Sequence, residues 1–187
     1  MFTAGIAGNE TSSDNENSLE LDPFVGLAGA IGNTGFGYDV GYVQFTFPGA
    51  PGDFDFAELY LNLSYSIEDL TATTRAYWSD DYFGKDFLGE ENSLAIEQEL
   101  RYKTPWKLTA TATVGEQMID IPGEQRAIFG ADNGDYLYWG VGLETELKDL
   151  TWHIRYWDTD TDDALVAACF KAEECDGRVT FGVTKNF

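Results

Sequence analysis

The chain closes on Arg178-Val179-Thr180-Phe181-Gly182-Val183-Thr184-Lys185-Asn186-Phe187. Successive side chains of an extended strand leave on opposite faces. Val179, Phe181, Val183 and Phe187 therefore share one face, while Arg178, Thr180, Gly182, Thr184 and Asn186 share the other. One face suits an apolar medium and the other suits water. A half-buried strand of a soluble sheet alternates in the same way, so the reading turns on whether the rest of the chain repeats the pattern.

It does. Nine further segments read as strands, at about 2–8, 19–31, 35–47, 56–66, 70–79, 93–103, 106–116, 136–147 and 150–158, and no stretch between them carries a helical period. The connections near 32–34, 67–69, 104–105 and 148–149 are tight turns; those near 9–18, 48–55, 80–92, 117–135 and 159–177 are longer. Short and long alternate throughout. In an antiparallel meander that parity gathers the long loops at one end and the short turns, with both termini, at the other. The fold class this predicts is all-β, an antiparallel up-and-down barrel of about ten strands forming a single domain over 1–187.

The two faces differ sharply. One carries Leu59, Leu61, Leu63 and Tyr65, then Leu94, Ile96, Leu100 and Tyr102, then Leu137, Trp139, Val141 and Leu143. The other carries Glu58, Arg75, Glu97, Glu99, Arg101, Lys107, Glu144, Glu146, His153 and Arg155 among threonines and glycines. Periodicity alone does not say which face points outward, because a soluble lipocalin-like barrel would wrap the apolar face around a ligand. Three features favour the apolar face outward, against lipid. Aromatic residues collect at strand ends, with Phe36, Tyr65, Tyr102, Trp106, Trp152 and Phe187 at the short-turn end and Trp78 and Tyr156 at the other, as interfacial girdles do. Segments of about ten residues match the roughly 9–11 that cross a tilted bilayer. The terminal aromatic carboxylate is the ending of bacterial outer-membrane barrels.

Composition agrees. No run approaches the ~18 apolar residues of a membrane helix, and the mean hydropathy is −0.27, as expected where only alternate residues meet lipid. A net charge of −22 excludes nucleic acid as the natural partner, since like charges repel. Cys169 and Cys175, six positions apart, lack the further ligands of a metal site and read as a disulfide closing a small loop. The sequence opens at Met1-Phe2-Thr3-Ala4 without a signal peptide, which reads as a mature, truncated or incompletely known start.

The stretches Gly35-Phe36-Gly37-Tyr38-Asp39-Val40-Gly41-Tyr42, Phe47-Pro48-Gly49-Ala50, Asp55-Phe56-Ala57-Glu58-Leu59-Tyr60, Tyr77-Trp78-Ser79-Asp80-Asp81-Tyr82-Phe83-Gly84 and Tyr156-Trp157-Asp158-Thr159-Asp160 resemble the TorF family of porins, also called Gcw_chp. The resemblance spans most of residues 20–187. It implies an outer-membrane barrel and a pore, and brings no substrate and no catalytic residue with it. Members of that family begin with two further strands before the one matching Phe2–Gly8, which implies twelve strands in an intact barrel. Gly182 and Phe187 fall on the assembly signal of such barrels; Lys185 departs from it, standing two positions before the terminal Phe where an apolar residue is usual.

The function expected is therefore a channel for small solutes, weakly cation-preferring, in the outer membrane of a Gram-negative bacterium, with periplasmic termini. The inward charges listed above would line its lumen or, in a narrow barrel, plug it with ion pairs. The alternative is a non-conducting barrel that scaffolds or anchors a surface assembly. Expected partners are outer-membrane lipid, lipopolysaccharide and the barrel-assembly machinery. A second copy or another protein would dock on strands five to seven, where Ala72, Thr74, Ala76, Gln98, Ala110 and Ala112 replace large apolar residues. No cofactor is expected. Asp158, Asp160 and Asp162 alternate as in a calcium loop, but Asp163 stands where the glycine belongs and Cys169 where a bidentate Glu belongs, so no metal site is expected. An enzyme is not expected either: the lone histidine, His153, lies near the short turns, far from the loops, and no Gly-x-Ser-x-Gly elbow is present.

Overall fold

A computed structural model describes residues 1–9, 19–50, 52–82, 84–86, 91–120, 135–160 and 176–185. Cys169, Cys175 and Phe187 lie outside the described residues, and with them the expected disulfide and the terminal aromatic.

Ten strands follow in chain order: β1 (Phe2–Asn9), β2 (Glu20–Ala30), β3 (Phe36–Phe45), β4 (Phe56–Ile67), β5 (Leu70–Ser79), β6 (Ser93–Lys103), β7 (Leu108–Ile119), β8 (Tyr136–Leu147), β9 (Leu150–Thr159) and β10 (Arg178–Thr184). They form one sheet in which each strand pairs antiparallel with the next. The fold is all-β and up-and-down, as the alternation of short turns and long loops predicts. The sheet is not closed: β1 bonds only to β2 and β10 only to β9 among the described residues.

One boundary differs from the alternation. Trp106 and Lys107 continue the apolar–polar rhythm into Leu108, yet β7 starts at Leu108 and runs on to Ile119. Thr104 closes a turn on the Leu108 carbonyl, donating from its N–H at 2.7 Å and from its hydroxyl at 2.8 Å. Lys107 takes a left-handed φ of 61° within that turn. Lys107 is thus an exposed turn residue, not one projecting from a strand.

The sheet is inside-out by the standards of a water-soluble protein. Leu100 is 52% exposed and its neighbour Glu99 only 3%. Val141 and Leu143 are exposed on β8, while Glu144 is buried. Among the described residues, buried apolar side chains are limited to Phe56 and Ala95; the buried polar ones include Asp22, Ser79, Ser93, Thr111, Thr113 and Gln117. Because no helix or second sheet among the described residues covers the polar face, its burial comes from the sheet curling around it.

Leu147 pairs with Leu150, leaving Lys148 (φ 54°) and Asp149 (φ 62°) as a two-residue hairpin loop with both residues left-handed. That is the type I′ pattern, which asparagine and glycine adopt with least strain. Replacing Lys148→Asn together with Asp149→Gly should stabilise the fold by about 1 kcal/mol, read as a rise in the urea midpoint of the folded protein.

Candidate functional site

The concave face holds a charge network built from five consecutive strands. β6 places Glu97, Glu99 and Arg101 on that face at a spacing of two. Arg75 on β5 lies directly opposite Glu97 and splits its guanidinium between two carboxylates, Nη1 on Glu97 and Nη2 on Glu99 at 2.9 Å. The planar fork lets one cation hold two like charges that would otherwise repel across 7 Å of strand, the rise of about two residues.

β7 contributes the gap that the network spans. Its concave positions are Thr109, Thr111, Thr113 and Gly115, all small, so long side chains from β6 and β8 meet above them. Arg101 reaches over β7 to grip Glu144 on β8 with both nitrogens, Nη1 to Oε1 at 3.0 Å and Nη2 to Oε2. Arg155 on β9 donates to the same Oε1 from Nη2 at 2.6 Å. It also stands 3.9 Å from Glu99, as does Arg101. Three arginines and three glutamates thus balance, which is the condition under which charges are tolerated at such burial.

Glycines set where the rings go. Gly115 pairs with Glu97 on one side and Tyr138 on the other. Tyr138 lies across it and donates its hydroxyl to Glu97 Oε2 at 3.2 Å. A Cβ on Gly115 would sit 2.2 Å from the Tyr138 ring. Gly142 likewise leaves room for Arg155, whose Cγ would lie 2.6 Å from an added Cβ. Trp157 covers Gly140, and the Arg155 guanidinium carbon stands 6.0 Å from its ring centroid. His153 covers Gly182, so that glycine makes room for an imidazole.

The wall formed by β1 to β4 is different. The first basic residue in the chain is Arg75, so these strands contribute none. They bring Asp22, Asp39 and Glu58 to the concave face instead. Asp39 faces Asn62 across the β3–β4 ladder, and Asp39 Oδ1 and Asn62 Oδ1 are buried with no hydrogen-bond donor among the described residues.

At the loop end, Phe45 stacks on Phe56 with centroids 4.6 Å apart, and Tyr82 meets Phe56 edge-on at 5.4 Å. Burial pushes the Tyr82 hydroxyl well above the usual phenol range, helped by Tyr136, Glu58 and Tyr138 nearby. The loops after β3 and β5 clip together above this cluster: Asp53 N–H donates to the Asp86 carboxylate at 2.7 Å, and Asp86 N–H to the Asp53 carbonyl at 3.1 Å.

The structure therefore brings together Arg75, Glu97, Glu99, Arg101, Glu144 and Arg155 of the expected lumen residues. Glu58 and His153 share the face without joining the network, while Glu146 is exposed near the short turns and Lys107 lies in one. Tyr138, Tyr77, Tyr136 and Trp157 complete the interior and were not singled out by the charge pattern. The signal was present: each sits at an even spacing from an inward Glu, Arg or Gly. Asp158 and Asp160, the described part of the calcium-like run, serve the backbone and a tyrosine. Asp160 Oδ1 accepts from Leu137 N–H at 2.7 Å, and Asp158 Oδ2 accepts from the Tyr156 hydroxyl at 2.7 Å.

The chain belongs to the Gcw_chp family: residues 2–187 match its model, described as a bacterial protein of unknown function. No curated protein matches the chain.

Two outcomes test this architecture. Gly115→Leu should destabilise the fold by about 1–3 kcal/mol through overpacking, and adding Tyr138→Ala should recover most of the loss in the same urea titration. For Arg101→Met and Glu144→Leu, a double-mutant cycle should give a coupling of about 1–3 kcal/mol, with each single variant worse than the pair.

Proposed function

We propose that the protein is an outer-membrane β-barrel conducting small solutes, with a preference for cations, in keeping with the TorF porin reading of its family. The observation that carries the proposal is the inversion of its faces. Large apolar side chains standing exposed on every strand, Phe2 and Ile6 on β1 through Ile154 on β9 and Phe181 on β10, while Glu99 and Glu144 are buried, is costly in water and favourable in a bilayer. Trp106 at 80% exposure, with Phe36, Tyr65 and Tyr102 also exposed at the short-turn end, suits one interfacial girdle; exposed Trp78 and Trp139 suit the other.

A bilayer leaves no backbone group unpaired, so the edges of β1 and β10 must be joined. The two run antiparallel, and they close either directly or through an even number of further strands. The barrel-assembly machinery, outer-membrane lipid and lipopolysaccharide are then its surroundings, with the short turns in the periplasm. The interior supports conduction more than a dry plug. The network of β5 to β9 is neutral, but the acidic wall of β2 to β4 has no basic residue of its own, and polar atoms such as Asp39 Oδ1 retain bonding capacity that water in a lumen would use. The excess of carboxylates favours cations. Nothing in this reading calls for catalysis or a cofactor.

A scaffold that binds a neighbour is the second reading. One observation favours it: Thr74 and Gln98 pair across the strands on the outward face, bonded to each other at 2.8 Å, with Ala72, Ala76 and Ala112 around them. Polar and small residues against lipid are typical of helix contacts in membranes, and the same physics applies to a barrel wall.

Single-channel recording in a planar bilayer with a salt gradient tests the channel. Stepwise currents with a reversal potential on the cation side are expected, and Asp39→Asn should lessen the preference; silence from folded protein would sink conduction and leave the scaffold. Val141→Arg tests the membrane placement. It should cost about 2–4 kcal/mol of stability in vesicles, the effect of a cation near mid-bilayer, whereas an unchanged unfolding midpoint would refute it. Ala110→Trp should alter the assembly size without unfolding the barrel if the β5–β7 face holds a partner.

A further inference from the structure

We infer that the loop-side half of the interior is a binding section for an organic cation, an ammonium or quaternary ammonium group held between tyrosine rings and the Glu58 carboxylate. The inference rests on the proposal that solutes enter this interior.

Glu58 lies near the loop end of β4, opposite Val43 on β3. It is half-buried, and no described residue gives it a hydrogen bond or an opposite charge. The nearest cation in the ladder, Arg75, is committed to Glu97 and Glu99. Across the neighbouring strands the concave positions are small: Ser79 pairs with Ser93, and Tyr77 pairs with Ala95, and Ser79, Ser93 and Ala95 are all buried. Rings gather over this floor. Tyr77 pairs with Tyr60, two residues beyond Glu58 on β4, and Tyr82 meets Phe56, two residues before it, edge-on at 5.4 Å. Tyr138 donates to Glu97, which lies opposite Arg75, two residues before Tyr77 on β5. The rings of Tyr136 and Tyr138 are 6.3 Å apart and tilted by 51°.

A carboxylate with no counter-ion among the described residues, set in a neighbourhood of tyrosine rings, selects for positive charge twice over. The rings discriminate further. They reward a cation that sheds water cheaply and presents C–H edges, such as a quaternary ammonium, over strongly hydrated sodium. An anion meets Glu58 and is repelled.

The test is calorimetric titration of the folded, detergent-solubilised protein with tetramethylammonium chloride, with sodium chloride as control and heat-modifiable gel mobility to confirm folding. Saturable binding of tetramethylammonium is expected, weakened by about tenfold or more in Glu58→Gln and in Tyr77→Leu and retained in Tyr77→Phe. No saturable binding, or equal binding by Glu58→Gln and Tyr77→Leu, would overturn the inference. Conductance of the same preparation separates this from the channel proposal. Binding without current supports the cation section while refuting the open channel; current without binding refutes the section alone.

Discussion

Hydrogen bonds between neighbouring strands run from β1 through β10 in chain order, and that ladder forces adjacent side chains out on opposite sides of the sheet. A sheet made this way from alternating residues has one apolar and one polar face whatever its surroundings. Its curvature then decides which face is enclosed. Here the polar face is enclosed, with Glu99 buried and Leu100 exposed, and such burial of charge requires compensation within.

Compensation is achieved by geometry as much as by composition. Arg75, Arg101 and Arg155 each use a planar, multi-pronged donor set to bind carboxylates on other strands, a task to which a lysine's single ammonium is poorly suited. The small residues of β7 are equally necessary, because Arg101 and Glu144 come from strands that are not neighbours. Inward glycines extend the same logic: Tyr138 over Gly115 and Trp157 over Gly140 fill the interior with rings that a Cβ beneath would displace. On the β5–β9 side the enclosed face is tied together by this network of three arginines and three glutamates. On the β1–β4 side it is acidic and lacks basic residues, so the two walls differ in charge.

Much of this was legible from residues alone. The ten strands, their order and nearly all their ends follow from the period of two and the alternation of turn lengths. Trp106 and Lys107 misled because alternation continues through them, and only the turn closed by Thr104 on the Leu108 carbonyl shows that the strand begins later. The charged members of the network were legible as inward positions. Their pairing was not, because a partner two strands away depends on register and on what the intervening strand leaves open. Tyr138 shows the limit clearly: spacing marks it as inward, but its bond to Glu97 exists only because Gly115 lies between them in the register.

The sequence by itself determined that this chain forms an antiparallel meander with one apolar and one charged face, since alternation and turn spacing are local properties of a strand. Tertiary structure decided which arginine serves which glutamate and which rings lie over which glycines. Those outcomes depend on the register and on distances between strands far apart in the chain, and no local pattern encodes them.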